Sequence, residues 1–282
     1  MEQKIAVITG SSSGFGLLTS LEFARRGFKV IATMRNLEKS DELEVLARKE
    51  NLHNAIIIQE LDVTNDDSVL VFKEYIHSIG KVDVLVNNAG FAMGGFCEEI
   101  TIHEYQQQFE TNFFGVIRMT NTIIPLMRNR GDGLIVNISS ISGLVGFPGI
   151  SPYVASKHAL EGYSESLRLE LKPFGITVAL VEPGSFNTNI WTTGKKVSLL
   201  SQDKSSPYYN YMEKIEAQMK KGKLSYGNPK QVASLIASLV DNRRYIPLRH
   251  PIGKGVKWMN TIQLMLPWRL WEKIILHKIF NK

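Results

Sequence analysis

A phenol and an ammonium stand four residues apart in Tyr153-Val-Ala-Ser-Lys157, a spacing that puts both side chains on one face of a helix within reach of a common ligand. Tyrosine ordinarily holds its proton to about pH 10, so it exchanges protons poorly at neutral pH unless a nearby cation favours the phenolate. Lys157 is the candidate cation. Such a pair is common and by itself usually structural; what changes its meaning is company. Ser140, in Asn137-Ile-Ser139-Ser140, and the glycines of Thr9-Gly10-Ser-Ser-Ser-Gly14-Phe-Gly16 all fall at the ends of apolar runs that read as strands.

The glycine turn is the second chemical feature. Glycine at 10, 14 and 16, with Ser12, Ser13 and Phe15 between, permits a tight turn and lets backbone approach a pyrophosphate. It also lets a helix pack closely on a strand while its first N–H groups face the anion. No Gly-Lys-Ser/Thr follows, so the turn is not a nucleotide-hydrolysing P-loop. The next strand ends Ala32-Thr33-Met34-Arg35, with no acid to hold a ribose 2′-hydroxyl; Arg35 can fork onto a 2′-phosphate, so NADP(H) is expected over NAD(H). Asp62, before Val63, stands where an adenine amino group could be recognised, with capping of the helix before Asp66 as the alternative.

These residues need strands to end where they do. Apolar runs rich in Val and Ile cover Ile5 to Thr9, Lys29 to Thr33, Ala55 to Leu61, Val82 to Asn87, Leu134 to Ile138 and Thr177 to Val181. Between them, Leu17 to Arg26, Ser40 to Glu50, Asp66 to Ile79, His103 to Arg128 and Val154 to Leu171 repeat apolar residues at three and four. The alternation predicts an α/β fold, a doubly wound parallel sheet of Rossmann type, with ligands beyond the carboxyl ends of the strands. After Val181 the pattern loosens: residues 184 to 227 hold no strand of convincing length, and about 185–227 is expected to be a lid. Asn228-Pro229 predicts an N-cap opening a helix through Val240. One catalytic and dinucleotide-binding domain, 1–250, and a basic, aromatic extension, 251–282, are expected.

Composition removes several function classes. With 282 residues, 44% of them hydrophobic, the chain suits one large core. The net charge of +6 is concentrated: nine Lys/Arg against the single acid Glu272 lie between Arg243 and Lys282, leaving the rest at −2, which argues against nucleic acid. There is no run of eighteen apolar residues and no signal-peptide pattern at the start, and Cys97 is the only cysteine, so a cytoplasmic location is expected. The histidines are scattered, and no metal site is expected.

Taken in order, Thr9-Gly10 to Gly16, Asn87-Asn88-Ala89-Gly90, Asn112, Ser140, Tyr153 with Lys157, and Pro183-Gly184 with Thr188 resemble the short-chain dehydrogenase/reductase family in its single-domain branch, over residues 3 to about 250. The resemblance implies an oxidoreductase interconverting a carbonyl compound and an alcohol. Tyr153 would be the acid/base and Ser140 would hydrogen-bond the substrate oxygen; Ser140 is preferred to Ser139 because it stands thirteen residues before Tyr153. Lys157 would lower the tyrosine pKa and hold the nicotinamide ribose, and Asn112 would bind a relay water. Asn88, with Ala89 and Gly90, would line the cofactor channel, and Pro183, Gly184 and Thr188 would cradle the nicotinamide end. A homodimer or homotetramer is implied as well.

The strand end at Ala32 to Arg35, the Leu144-Val-Gly-Phe-Pro148 loop and the long C-terminus look similar to hydroxysteroid and retinol dehydrogenase-like members, so an apolar substrate is expected. The stretch Val256 to Phe280, interrupted by Pro267, is expected to cover the pocket or contact another subunit in preference to a membrane. A protein sensing NADP(H) without turnover would show a broken catalytic set, and a sugar-nucleotide epimerase or dehydratase would carry a larger C-terminal domain. His158 is expected in packing, Cys97 as an inert thiol near the substrate entrance, and Met93 and Phe96 equally in pocket or core.

Overall fold

The computed structural model describes residues 2–191, 194–222, 226–241 and 245–280. Parts of the expected lid, 192–193 and 223–225, and the ends of the basic tail, Arg243 and Lys282, lie outside the described residues.

Strands β1 (Ile5–Ile8), β2 (Lys29–Met34), β3 (Ile56–Glu60), β4 (Val84–Asn87), β6 (Gly133–Ile138), β7 (Ile176–Pro183) and β9 (Arg249–Ile252) form one sheet in the order β3-β2-β1-β4-β6-β7-β9. Every neighbouring pair is parallel. The remaining strands, β5 (Ala92–Gly94) and β8 (Lys195–Val197), pair only with each other. Parallel strands must be covered on both faces, which is why these read as unbroken Val/Ile runs. Alternation assigns the faces. Ala6 and Ile8 join α1 (Gly14–Arg25), α2 (Asp41–Lys49) and α8 (Lys230–Ser238), whereas Ile5 and Val7 join α3 (Asp66–Ile79), α5 (Gly115–Arg130) and α6 (Ser151–Leu171). Each fully buried Leu or Ile contributes about 1.5–3 kcal/mol. Truncating Ile123, with no exposed surface, to Ala would cost about 2–5 kcal/mol.

The strand order reverses between β1 and β4, whose two outward neighbours are β2 and β6, and the crevice beyond the carboxyl ends at that point is where such a sheet admits ligands. The glycine turn follows β1, and Asn88 to Gly90 follows β4, so both rims of the crevice come from the predicted motifs.

Three expectations change. The helix expected from His103 to Arg128 is α4 (Ile102–Phe109), opened by a Thr101/Glu104 capping box, then a π-helical turn over Glu110–Phe114, then α5. The segment expected as a lid is not irregular: it contains β8 and α7 (Tyr209–Gly222), whose Tyr211, Met212, Ile215 and Met219 stand at helical spacing. The helix after Asn228 ends at Ser238 rather than Val240, although the Asn228 side chain does accept from the Lys230 N–H at 3.0 Å. The seventh strand, β9, was not expected at all, because Arg-His-Pro-Ile offers no apolar run. Helices α9 (Val256–Met265) and α10 (Trp268–Phe280) close the chain on either side of Pro267.

Candidate active site

Between β1 and α1 the chain turns through Gly10 (φ +68°) and Gly14 (φ +58°), left-handed conformations that favour glycine. Space is equally restrictive: a Cβ on Gly10 would lie 2.8 Å from Ala89 Cα, and one on Gly16 would collide with the Gly10 carbonyl and the Asn88 amide. Thr9 ties the turn to β4, its Oγ1 accepting from the Asn88 N–H at 2.9 Å and the Ala89 N–H at 3.0 Å. Asn88 completes the tie, its side-chain amide donating to the Thr9 and Gly10 carbonyls at 2.8 and 3.0 Å. Ser13 caps α1 without a side-chain hydrogen bond, and the first turn holds no acid. Its leading N–H groups are thus available to an anion, and the residues present fit a dinucleotide pyrophosphate.

The turn forms one end of a cleft of about 1010 Å³. Of the residues expected to hold a cofactor, Gly10, Ser12, Ser13, Gly14, Phe15, Arg35, Asp62, Val63, Asn88, Ala89, Gly90, Pro183, Gly184 and Thr188 all line it, together with Tyr153 and Lys157. Gly16 does not; it sits behind the turn as the spacer between α1 and β1. Lys39, also on the wall near Arg35, was missed because no sequence pattern singles out one lysine before a helix. Asp62 does not cap α3. Asn65 does, accepting from Ser68 N–H at 2.8 Å, while the Asp62 carboxylate turns onto the Thr64 N–H and hydroxyl at 2.9 and 2.7 Å.

At the other end, α6 carries Tyr153 and Lys157 into the cleft floor, both buried. The Tyr153 phenol hydrogen-bonds the Ser140 side chain, and Ser140 Oγ also accepts from the Ser142 N–H at 3.1 Å, which fixes its direction. Lys157 Nζ donates to the Ile138 carbonyl at 2.7 Å and lies 5.7 Å from the Tyr153 ring centre. Lys157 is not among the groups that shift Tyr153 here. Burial pushes the Tyr153 phenol up to about 12, opposed by the Ser140 hydrogen bond, and burial pulls Lys157 down to about 8, opposed by Glu161. Burial favours the neutral form of each group.

Asn112 sits in the π-helical turn, buried to 1% exposure. Its amide donates to the Phe91 carbonyl at 3.0 Å and its oxygen accepts from the Phe91 N–H at 3.1 Å, clamping the chain that leaves β4. It also approaches Ser156 Oγ at 3.4 Å, one turn from Tyr153. Beneath the site a buried polar chain runs from Asn87 to Asn137 at 2.9 Å and on to Ser164 at 2.8 Å, bracing β4, β6 and α6 together. Asn112, Ser140, Tyr153 and Lys157 therefore share one cleft wall.

The remaining candidates fall outside it. His158 is exposed and bonds the Val154 carbonyl on its own helix, so it neither packs nor faces the site. Met93 and Phe96 are buried; Phe96 stacks on Tyr208 with ring centres 4.4 Å apart, pinning the end of β5 to the start of α7. Cys97 is exposed and 3.2 Å from Ser151 Oγ, at the start of α6. A second buried polar group escaped the sequence reading altogether. Arg249 on β9 donates to Glu161 Oε2 at 3.1 Å and lies 3.3 Å from Glu182 Oε1. Burial and the neighbouring Glu161 push Glu182 up to about 7. Among the described residues no cluster of His, Cys, Asp or Glu could hold a metal.

The family model described as short chain dehydrogenase matches residues 4–197. Over its whole length the chain is 47% identical to the uncharacterized oxidoreductase YusZ of Bacillus subtilis, covering 100% of both. It is 37% identical to 3-ketodihydrosphingosine reductase of Bacteroides thetaiotaomicron, covering 91% of this chain and 90% of that protein. It is also 37% identical to human retinol dehydrogenase 8, covering 92% and 85%. Among solved structures, a short-chain dehydrogenase from Streptomyces avermitilis superposes with a TM-score of 0.83 at 34% identity, covering 99% and 98%. ElxO with NADP bound superposes at 0.75 with 27% identity, covering 91% and 100%.

Proposed function

The chain belongs to the short-chain dehydrogenase/reductase family and is an oxidoreductase, and from that premise we propose that it interconverts an apolar ketone or aldehyde and its alcohol with NADP(H), Tyr153 acting as acid/base. The carrying observation is the Tyr153–Ser140 hydrogen bond on the wall of the cleft that the glycine turn closes at its other end. The dinucleotide supplies the hydride when bound.

In the reducing direction Ser140 and Tyr153 together receive the carbonyl oxygen, and Tyr153 gives up the proton as charge collects there. A phenol held near 12 is protonated at neutral pH, so the acid that the reducing direction needs is loaded. Lys157, turned from the Ile138 carbonyl toward ribose hydroxyls, carries the positive charge that steadies the phenolate left behind. Asn112 holds the Phe91 backbone beside these groups, where it would help to hold the relay water through which Lys157 exchanges protons with solvent.

Arg35 and Lys39 together support a 2′-phosphate, for which two cations and no acid at the end of β2 are the chemistry required. An apolar substrate is supported by Phe91, Phe186 and Ile190 on the cleft wall and by relatives named for 3-ketodihydrosphingosine and retinol, both lipid-like molecules. A sensor without turnover finds no missing member in the catalytic set. The test is Tyr153→Phe. Turnover of a ketone panel with NADPH should fall by about 10²–10⁴-fold, while NADPH affinity, read by nicotinamide fluorescence, stays within about two-fold. Wild-type turnover in this variant removes the phenol from the reaction.

A further inference from the structure

The two C-terminal helices each have an inner side that the fold uses and an outer side that it does not. Inward, Val256 and Trp271 pack with Ile141 and Val145, and Met259, Leu266 and Ile275 join them against Leu144 and Phe147. Helix α10 also touches the lid, where the Phe280 ring lies 4.6 Å from that of Tyr211. Outward, α9 presents Trp258, Ile262 and Met265 at the i, i+4, i+7 spacing that puts all three on one stripe, with Trp258 74% and Met265 78% exposed. Helix α10 continues with exposed Trp268, Leu270, Ile274 and Leu276. Isolated exposed apolar residues are ordinary, but seven of them on two consecutive helices are not.

Charge identifies what fits there. Lys254, Lys257, Arg269, Lys273 and Lys278 are all exposed on this segment against the single acid Glu272, and among the described residues none of the five cations sits in an ion pair. Lys214 adds a sixth cation over the Phe280 ring, at 4.9 Å. We propose that the outer faces of α9 and α10 dock this protein on the surface of an anionic lipid bilayer. Tryptophans among aliphatic side chains, rimmed by lysines, suit the boundary between headgroups and acyl chains, where the ring is half apolar and the rim meets lipid phosphate. A second copy of the chain fits less well, since self-pairing would set cation against cation. No described helix is long and apolar enough to cross a bilayer, so the helices lie on the surface. The inner sides hold the Ile141–Phe147 loop beside Ser140, so the docked face is also the roof over the substrate end of the cleft.

Flotation with vesicles tests this. With phosphatidylcholine vesicles containing roughly a quarter phosphatidylglycerol, at low salt, the full-length protein should float; with pure phosphatidylcholine it should remain in solution, and about 0.5 M salt should release it. Trp258→Ser/Met265→Ser and Lys257→Glu/Lys273→Glu should each lower the bound fraction about ten-fold, with NADPH affinity and ketone turnover in solution unchanged. The unchanged turnover shows that these variants fold and separates this outcome from failure of the catalytic reading. Wild-type protein that ignores anionic vesicles overturns the proposal, as does equal flotation of both variants. A dimer that dissociates in Trp258→Ser/Met265→Ser, with no vesicle binding by wild type, reassigns the face to a second copy and overturns it too.

Discussion

Two opposing effects set the protonation of each buried group in the cleft, and their sizes decide which direction of chemistry is ready. Desolvation dominates at Tyr153 and at Lys157, so the phenol keeps its proton while the ammonium gives its own up near pH 8. The slope of kcat/KM, which reports the free enzyme, follows from this. For ketone reduction it should be level from about pH 6 to 7.5 and fall as pH rises through about 8, where Lys157 loses its charge. A profile level to pH 10 would exclude Lys157 from the rate. At Arg35 the effect is a single fork. Replacing it by Asp sets a carboxylate against a 2′-phosphate, so NADPH should bind about 10–100-fold more weakly while NADH binding is retained or improved, measured by titration of both cofactors. At this scale most of the site was legible. Glycines, Tyr153, Lys157 and Ser140 announce themselves because spacing is a sequence property, whereas Lys39 and the Arg249 cluster are made by contacts between distant segments that no spacing encodes.

Strands and helices bring those side chains together, and the edge of the sheet carries a tension. Glu182 has no exposed surface on β7, and among the described residues neither of its oxygens accepts a hydrogen bond. Its pKa stands near 7, raised from 4.5. Between those values the folded state holds a proton that the unfolded chain has lost, so the stability contribution is intact at low pH and falls as pH rises toward 7. Glu182→Gln mimics the protonated form. Its melting temperature should match wild type at pH 5 and exceed it at pH 8, by an amount corresponding to about 1–2 kcal/mol; equal curves at both pH values would mean that Arg249 fully offsets the charge. The six strands rich in Val and Ile are legible because burial on both faces demands such runs. Strand β9 is not, since an edge strand of Arg, His, Pro and Ile is held by β7 and by the Arg249 ion pairs instead of by its own apolar content. The π-helical turn is equally silent in sequence: no residue type marks the extra residue that brings Asn112 onto Phe91.

Taken whole, the molecule is a sheet whose carboxyl rim is roofed by α9 and α10. Trp271 is the keystone of that roof, 4% exposed against Ile141 and Val145. Trp271→Ala should cost about 3–5 kcal/mol of stability. It should also raise KM for a bulky ketone by loosening the Ile141–Phe147 loop, with NADPH affinity unchanged because the glycine turn lies at the opposite end. A change in NADPH affinity with KM unaltered would separate the roof from the substrate. The basic, aromatic character of this segment was visible in the sequence, but which of its residues face in was not, because Pro267 resets the helical phase between Trp258 and Trp271.

One consequence belongs to time instead of space. All seven strands of the main sheet point the same way, so no neighbouring pair can be closed by a hairpin, and each waits on a long crossover. The junction of β1 with β4 bridges the longest stretch of chain, since Ile5 and Asp83, which bond across it, are 78 residues apart. That junction is also the crevice where the dinucleotide is expected. A ligand that binds across that junction stabilises the pairing with the largest sequence separation in the sheet, so bound dinucleotide should raise the resistance of the chain to unfolding.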